Sequence, residues 1–188
     1  GDGDKALQGY EESLKLAEQI AQKRPDSIEA KRDVSVSLNK IANIHLQKGD
    51  GDKALQGYEE SLKLREQIAQ KRPDSIEAKR DVSVSLEKIA NIHLQKGDGD
   101  KALQGYEESL KLAEQIAQKR PDSIEAKRDL CVSHYKLAKV YEKSSQVNQA
   151  LIEYKKAIGI IEPLQNYPLG DFKNMLEILK KSIEALES

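Results

Sequence analysis

Residues 49–96 read GDGDKALQGYEESLKLREQIAQKRPDSIEAKRDVSVSLEKIANIHLQK, and the stretch recurs. Residues 1–48 repeat it with two changes, Ala17 in place of Arg65 and Asn39 in place of Glu87. Residues 97–129 then repeat residues 1–33 without a change. A fixed period of this length, about 48 residues, marks a stacked-repeat architecture, in which one supersecondary unit buries its apolar face against the next copy. Two differences in a whole period also point to recent amplification or to assembly by design, because repeats that drift independently diverge.

Each unit holds two helical stretches. In the first, Ala54, Leu55, Tyr58, Leu62, Ile68 and Ala69 recur at three- and four-residue spacing, an amphipathic helix period. Asp50 and Asp52 stand where a carboxylate accepts the free amides of a first turn, and Pro73 stops the helix. The second stretch opens on Asp74, Ser75, Ile76 and Glu77 in the manner of a capping box. It carries Ile76, Val82, Leu86, Ile89, Ala90, Ile92 and His93, and it ends at Lys96 and Gly97, a basic last turn followed by glycine. Each helix is predicted to be about 20 residues, roughly 30 Å long. Connections this short force neighbouring helices to run antiparallel.

The third copy drifts after Asp129: Leu130, Leu137, Ala138 and Val140 keep the apolar pattern, whereas His134, Tyr135, Lys139, Tyr141 and Glu142 are new. Residues 146–161 form a degenerate helix striped with Ala150, Leu151, Tyr154, Ala157, Ile158 and Ile161. Pro163 and Pro168 break the chain. A last amphipathic helix carrying Phe172, Met175, Leu176, Leu179, Ile183 and Leu186 reads as a terminal cap. The expectation is one all-α repeat domain over 1–188 with about eight helices. Its units are 1–48, 49–96 and 97–144, followed by a degenerate half-repeat and capping helix over 145–188.

Composition narrows the function. The 31 basic and 32 acidic side chains nearly cancel, so no general attraction draws the chain to nucleic acid or anionic lipid. Cys131 is the one cysteine, which excludes an intrachain disulfide and a cysteine-rich metal site. No apolar run approaches the roughly 20 residues that span a bilayer, and the N-terminus lacks a signal pattern. A soluble cytoplasmic protein without nucleic-acid or membrane partners is expected. Asp50, Gly51 and Asp52 resemble the start of a calcium loop, but Ala54 replaces the next ligand and Ser61 stands where a bidentate Glu is required. Gly49, Asp50 and Gly51 lack the third glycine and the preceding strand of a dinucleotide loop. His45 and His93 fit packing positions, and a lone Cys131 and His134 at spacing three is weak evidence for thiol chemistry. No cofactor, metal or catalytic activity is expected. Arg65 and Glu87, opposite in charge on consecutive helices, suggest an ion pair.

One family resemblance follows from residues 38–64. Leu38, Ile41, Ala42 and His45, the turn at Gly49 and Asp50, and the small–aromatic–small set Ala54, Tyr58 and Ser61 resemble a tetratricopeptide repeat. The matches recur at Leu86, Ile89, Ala90, His93, Ala102, Tyr106 and Ser109, then at Leu137, Ala138, Tyr141, Ala150, Tyr154 and Ala157. Units here exceed the family's usual length of about 34 residues. The resemblance implies an α-solenoid of antiparallel helix hairpins, winding as a right-handed superhelix. It also implies a concave groove lined by Asn39, Asn43 and Gln47, then Glu87, Asn91 and Gln95, then Tyr135, Lys139 and Lys143. Val36, Val84 and Val132 would lie beside them.

The function so implied is a non-catalytic protein–protein interaction scaffold that binds a peptide or partner on that face. The alternative is a structural or designed array without a natural ligand. Lys136, Lys139 and Lys143 form a basic stripe that suits either an acidic peptide tail or plain solvation. Base-by-base RNA reading fits poorly, because Glu87 lies in the groove. At the N-terminal end, the stripe Ala6, Tyr10, Leu14 and Ala17 has one side uncovered. That predicts a homodimer through residues 1–24.

Overall fold

The computed structural model describes residues 2–168 and 170–187. Positions 1, 169 and 188 of the expected domain span lie outside the described residues, as does residue 1 of the expected association segment 1–24. The fold is all-α, with no strand among the described residues. Its helices are α1 (Asp2–Lys23), α2 (Ile28–Gln47), α3 (Gly51–Lys71), α4 (Ile76–Gln95), α5 (Gly99–Lys119), α6 (Ile124–Lys143), α7 (Val147–Ile161) and α8 (Phe172–Glu187). A 3₁₀ turn at Glu162–Leu164 follows α7 and contains Pro163. No described helix is long and apolar enough to cross a membrane. The chain divides into two compact units, Gly1–Ile92 and His93–Ser188.

Identical local sequence gives the same local structure at each copy. The turn before α2 has Pro25 at its second position, and the Ser27 amide donates to the Arg24 carbonyl at 3.0 Å. The same turn recurs at Ser75 and Arg72 (2.9 Å) and at Ser123 and Arg120 (3.0 Å). Proline presets φ at that position and supplies no donor that the turn needs.

These serines also cap the helices that follow. Ser27 Oγ accepts from the Ala30 amide at 3.1 Å, Ser75 from Ala78 at 3.1 Å and Ser123 from Ala126 at 3.2 Å. In the opening Asp74, Ser75, Ile76 and Glu77, the side chain that accepts from the Ala78 amide is that of Ser75. With Ser75 as the cap, the residue three positions on is Ala78, which has no side-chain oxygen to return the bond. Glu77 instead lies in the first turn, where its charge complements the helix dipole. On α3 and α5 the capping residues are Asp50 and Asp98, as the sequence leads one to expect.

The helix ends are equally explicit. Beyond α2, the Asp50 amide donates to the His45 carbonyl at 2.9 Å and the Gly49 amide to Leu46 at 3.0 Å. Beyond α4, Asp98 donates to His93 at 2.9 Å and Gly97 to Leu94 at 3.3 Å. This bonding pattern satisfies the last carbonyls only when the residue between adopts a left-handed conformation, and Gly49 and Gly97 both have φ +81°.

In the first unit, α2 lies between α1 and α3. The sense of α2 against α3 follows from the bonds between them. Tyr58 reaches Asn43, Ser61 reaches Ser35, and Gln67 reaches Lys31, so one number rises as the other falls. Lys48 at the end of α2 pairs with Asp4 at the start of α1, which is antiparallel again.

Two apolar clusters hold these hairpins. Ala42, Ala54, Tyr58 and Ile92 form one, and Ala17, Val34 and Leu38 the other. Close approach depends on small residues: a Cβ added to Gly57 would stand 3.0 Å from the Ala42 Cβ. Serines fill further helix–helix contacts, with Ser35, Ser61, Ser85 and Ser109 all essentially inaccessible.

The second unit packs α7 against α6 and α8 against α7. Its core contains Cys131, Ala138, Tyr154, Ile161, Phe172, Leu176 and Leu179. The apolar stripe expected on the last helix is the face that α8 buries.

Candidate protein-interaction surface

The helices expected to line an inner face are α2, α4 and α6, and the structure places each proposed residue on them. On α2, Gln47 is exposed, Asn43 is half-buried and Asn39 is buried at 6% exposure. The Asn39 amide nitrogen donates to the Ser35 carbonyl at 3.2 Å and to the Ser61 hydroxyl, so it is engaged in the α2–α3 contact. On α4, Glu87 is half-buried, while Asn91 and Gln95 are exposed. Val36 and Val84, equivalent positions, are both exposed, at 37% and 39%.

Lys88, which sequence reasoning did not single out, organises the polar part of this surface in the first unit. Its ammonium donates to Asn43 Oδ1 at 3.0 Å and to Asn39 Oδ1 at 3.3 Å, and it lies 5.0 Å from the centre of the Tyr58 ring. The Tyr58 hydroxyl donates to the same Asn43 Oδ1 at 2.6 Å. Burial, and then the Arg65 charge, lower the Lys88 pKa from its usual value; burial alone raises that of Tyr58. A lysine faced by neutral oxygens and a ring keeps attraction for an anion that a carboxylate partner would have consumed. The equivalent Lys40 holds the same place, 5.0 Å from the centre of the Tyr10 ring.

The Arg65 guanidinium donates to the Asp81 carbonyl and the Ser85 hydroxyl, each at 2.9 Å. These acceptors lie one helical turn apart on α4, on a different side of the helix from Glu87.

In the second unit, Tyr135 and Lys139 are half-buried and Lys143 is exposed. The Tyr135 ring lies 6.0 Å from that of Tyr154 at a tilt of 52°. Lys139 pairs with Glu142 at 2.8 Å, and the other oxygen of Glu142 accepts from the Tyr154 hydroxyl at 2.6 Å. Burial pushes the Glu142 carboxyl up, but Lys139 and Tyr154 outweigh it and hold it below the usual range. Of the basic stripe, then, Lys139 is already neutralised.

Sequence reasoning also missed the second wall of this surface. Val132, Tyr135 and Lys136 of α6 face Met175, Ile178 and Leu179 of α8 across a groove of about 340 Å³. The helix read as a cap is therefore also a lining element. Its apolar residues are common to both roles, which is why the pattern alone did not separate them.

Cys131 and His134 do not form a thiol–imidazole pair able to do chemistry. Burial pushes the Cys131 thiol up to about 11, so it stays protonated near neutral pH. His134 Nδ1 instead meets Glu153 Oε2 at 2.6 Å, and Lys156 reaches Glu153 Oε1 at 2.7 Å. This group ties α6 to α7 beneath the surface. Among the described residues, no three His, Cys, Asp or Glu side chains are grouped to hold a metal ion.

Comparison with known proteins agrees with this architecture. Models of the tetratricopeptide repeat match residues 34–76 and residues 132–163, which are the α2–α3 and α6–α7 hairpins. No curated protein sequence matches the chain. Among solved structures, BtubC from P. vanneervenii is similar over 99% of this chain and 71% of its own, with TM-score 0.66 and 18% identity. The yeast histone chaperone Hif1 is similar over 100% and 98%, with TM-score 0.60 and 12% identity. A Podosopora anserina chain of nearly identical TPR-like repeats is similar over 98% and 91%, with TM-score 0.54 and 15% identity. At these identities the likeness is one of fold. The repeat period, the paired antiparallel helices and the two matched hairpins make this an array of tetratricopeptide-like helix hairpins, all-α and of the α-solenoid class.

Proposed function

We propose that this chain is a non-catalytic protein-interaction scaffold that receives a peptide segment of a partner on the α2 and α4 faces of its first compact unit or on the α6 face of its second. The repeat units 1–48, 49–96 and 97–144 supply one such helix each, and each compact unit offers its own surface. In the first unit the proposed contacts are Asn43, Gln47, Glu87 and Asn91, with Asn39 positioning the others from beneath. In the second they are Gln95, Tyr135, Lys139 and Lys143. Lys88 carries this reading, as a cation held by neutral acceptors beside exposed Val36 and Val84. That chemistry favours a peptide with an acidic group next to a small apolar side chain. An intracellular setting belongs to the same proposal, supported by the free Cys131.

A peptide array of acidic sequences, followed by titration of the best binders, tests it. Lys88→Gln is expected to weaken binding at least tenfold while the helical signal stays unchanged. Absence of any peptide binding below about 1 mM, which corresponds to only ~4 kcal/mol, or indifference to Lys88→Gln, would overturn it.

A second reading rests on a different observation. Leu16 and Ile20 on α1 are 61% and 49% exposed, an apolar surface that favours association through residues 1–24. A second copy of the chain is one occupant. Concentration-dependent mass in sedimentation is the expected outcome for that occupant. The near-identity of units 1–48 and 49–96 supports recent amplification or design as the origin of the array.

A further inference from the structure

One stripe of side chains recurs on α2, α4 and α6. Arg32, Val36 and Lys40 return as Arg80, Val84 and Lys88, then as Arg128, Val132 and Lys136. A spacing of four puts each trio on one side of its helix. In the first unit the Arg32 guanidinium pairs with Glu77 of α4. In the second unit α6 faces α8, which offers Met175, Ile178 and Leu179 across the groove of about 340 Å³. Glu177, the acid in that stretch of α8, pairs with Lys181 of its own helix at 2.7 Å. The same stripe therefore meets an acid in one unit and an apolar wall in the other.

That wall decides what the groove can hold. Among the described residues, its lining contains no carboxamide, no aliphatic hydroxyl and no carboxylate. The surface around Lys88 differs, since Asn39 and Asn43 stand there. A peptide laid between α6 and α8 would bury backbone N–H and C=O groups without partners, at a cost for each. An alkyl chain has none to satisfy and gains with every methylene it buries. Val132 and Tyr135 are half-buried on one side, and Ile178 on the other is 43% exposed, so apolar surface is open to it. Small-molecule sites share this make-up, a largely apolar cavity with a few polar groups to fix orientation.

The charge on the lining is positive. Arg128 is exposed, and its planar fork matches a carboxylate with two parallel hydrogen bonds. Lys136 follows eight residues later, about 12 Å along α6. A zigzag alkyl chain of about eight to ten carbons covers that span. We propose that the groove between α6 and α8 is a binding site for a medium-chain alkyl carboxylate, with Arg128 on the acid group and the chain along Val132, Met175 and Ile178. The site shares only Tyr135 with the contacts proposed for a peptide, and it does not depend on Lys88.

Met175 is the single methionine of the chain, so methyl-13C labelling puts one reporter in the groove. Titrating the whole chain with decanoate should shift that resonance and saturate below about 1 mM. From hexanoate to decanoate each methylene should tighten binding by up to about fourfold, with a plateau once the groove is full. Decylammonium should leave the resonance in place. Arg128→Gln should weaken decanoate about tenfold, Ile178→Glu should abolish its binding, and Lys88→Gln should change nothing. Both groove variants alter exposed side chains, so their thermal unfolding is expected to stay close to that of the parent. A resonance that ignores decanoate, equal affinity for decylammonium, or indifference to Arg128→Gln or Ile178→Glu overturns the proposal. Loss of binding in Lys88→Gln does so too, by moving the site to the first unit. A resonance that shifts only with an acidic, apolar peptide also overturns it and gives the groove to the scaffold's partner.

Discussion

Ser145 holds the place that Gly49 and Gly97 hold at earlier helix ends, and it adopts the same left-handed conformation at φ 57°. The bonds around it are intact: Gln146 donates to the Tyr141 carbonyl at 2.8 Å and Ser145 to Glu142 at 3.0 Å. A side chain in that region costs about 1–2 kcal/mol that glycine does not incur, partly offset by glycine's greater freedom when unfolded. Ser145→Gly is therefore expected to stabilise the chain by about 0.5–1 kcal/mol in urea melts. Its neighbour Gln146 replaces the capping Asp of α3 and α5 and makes no side-chain cap. Gln146→Asp is expected to add about 1 kcal/mol.

Arg65 is the opposite kind of departure. It replaces an alanine that is buried at positions 17 and 113. Burial lowers its pKa, and its Nε has no hydrogen-bond partner. A half-buried cation so incompletely satisfied contributes little net stability. Arg65→Ala should leave the unfolding free energy unchanged or raise it by about 1 kcal/mol; a loss of several kcal/mol would show that its bonds to Asp81 and Ser85 matter more than its desolvation.

At the scale of the element, three copies of one helix give a built-in control. Tyr58 and Tyr106 are 1% and 3% exposed, and their truncation to alanine should each cost about 3–5 kcal/mol. Tyr10 keeps the Lys40 contact but is half-exposed, so Tyr10→Ala should cost only about 1–2 kcal/mol. A loss below about 1 kcal/mol for Tyr58→Ala would contradict its place in the core. Hydrogen exchange should order the helices the same way, with α1 amides exchanging faster than those of α3 and α5 despite near-identical sequence.

At the scale of the whole molecule, buried acids that ionise late govern behaviour at high pH. Burial raises the Cys131 thiol to about 11, and it raises the hydroxyls of Tyr58, Tyr141 and Tyr154 from their usual values. The unfolded chain releases these protons at lower pH than the folded one, so folding opposes ionisation. Stability from this source is complete below the ordinary thiol value of about 8.5 and declines as pH rises towards 11. Urea midpoints should accordingly fall across that range, and less steeply in Cys131→Ala. Thiol reagents at pH 8 should modify Cys131 only at the rate of unfolding.

Much of this architecture was legible in the sequence because it is local and repeated. Pro25, Pro73 and the serines after them set the turns, Asp50 and Asp98 cap the helices that follow, and Gly49 and Gly97 end those before. All act within a few residues of themselves. Lys88 was not legible, because its surroundings come from three helices, with Asn39, Asn43 and Tyr58 all distant along the chain. The cap of α4 has a similar cause: Asp74 and Ser75 are both capping residue types, and the backbone decides that Ser75 accepts from the free Ala78 amide.

The sequence by itself determined the period, the helix boundaries and the stripe that each helix buries, since propensity, capping and hydrophobic spacing need no distant partner. Only the tertiary structure decided which copy of a residue is covered. Tyr10 and Tyr58 share the same chemistry and the same neighbours in sequence, and they differ because burial belongs to the pair of helices in contact.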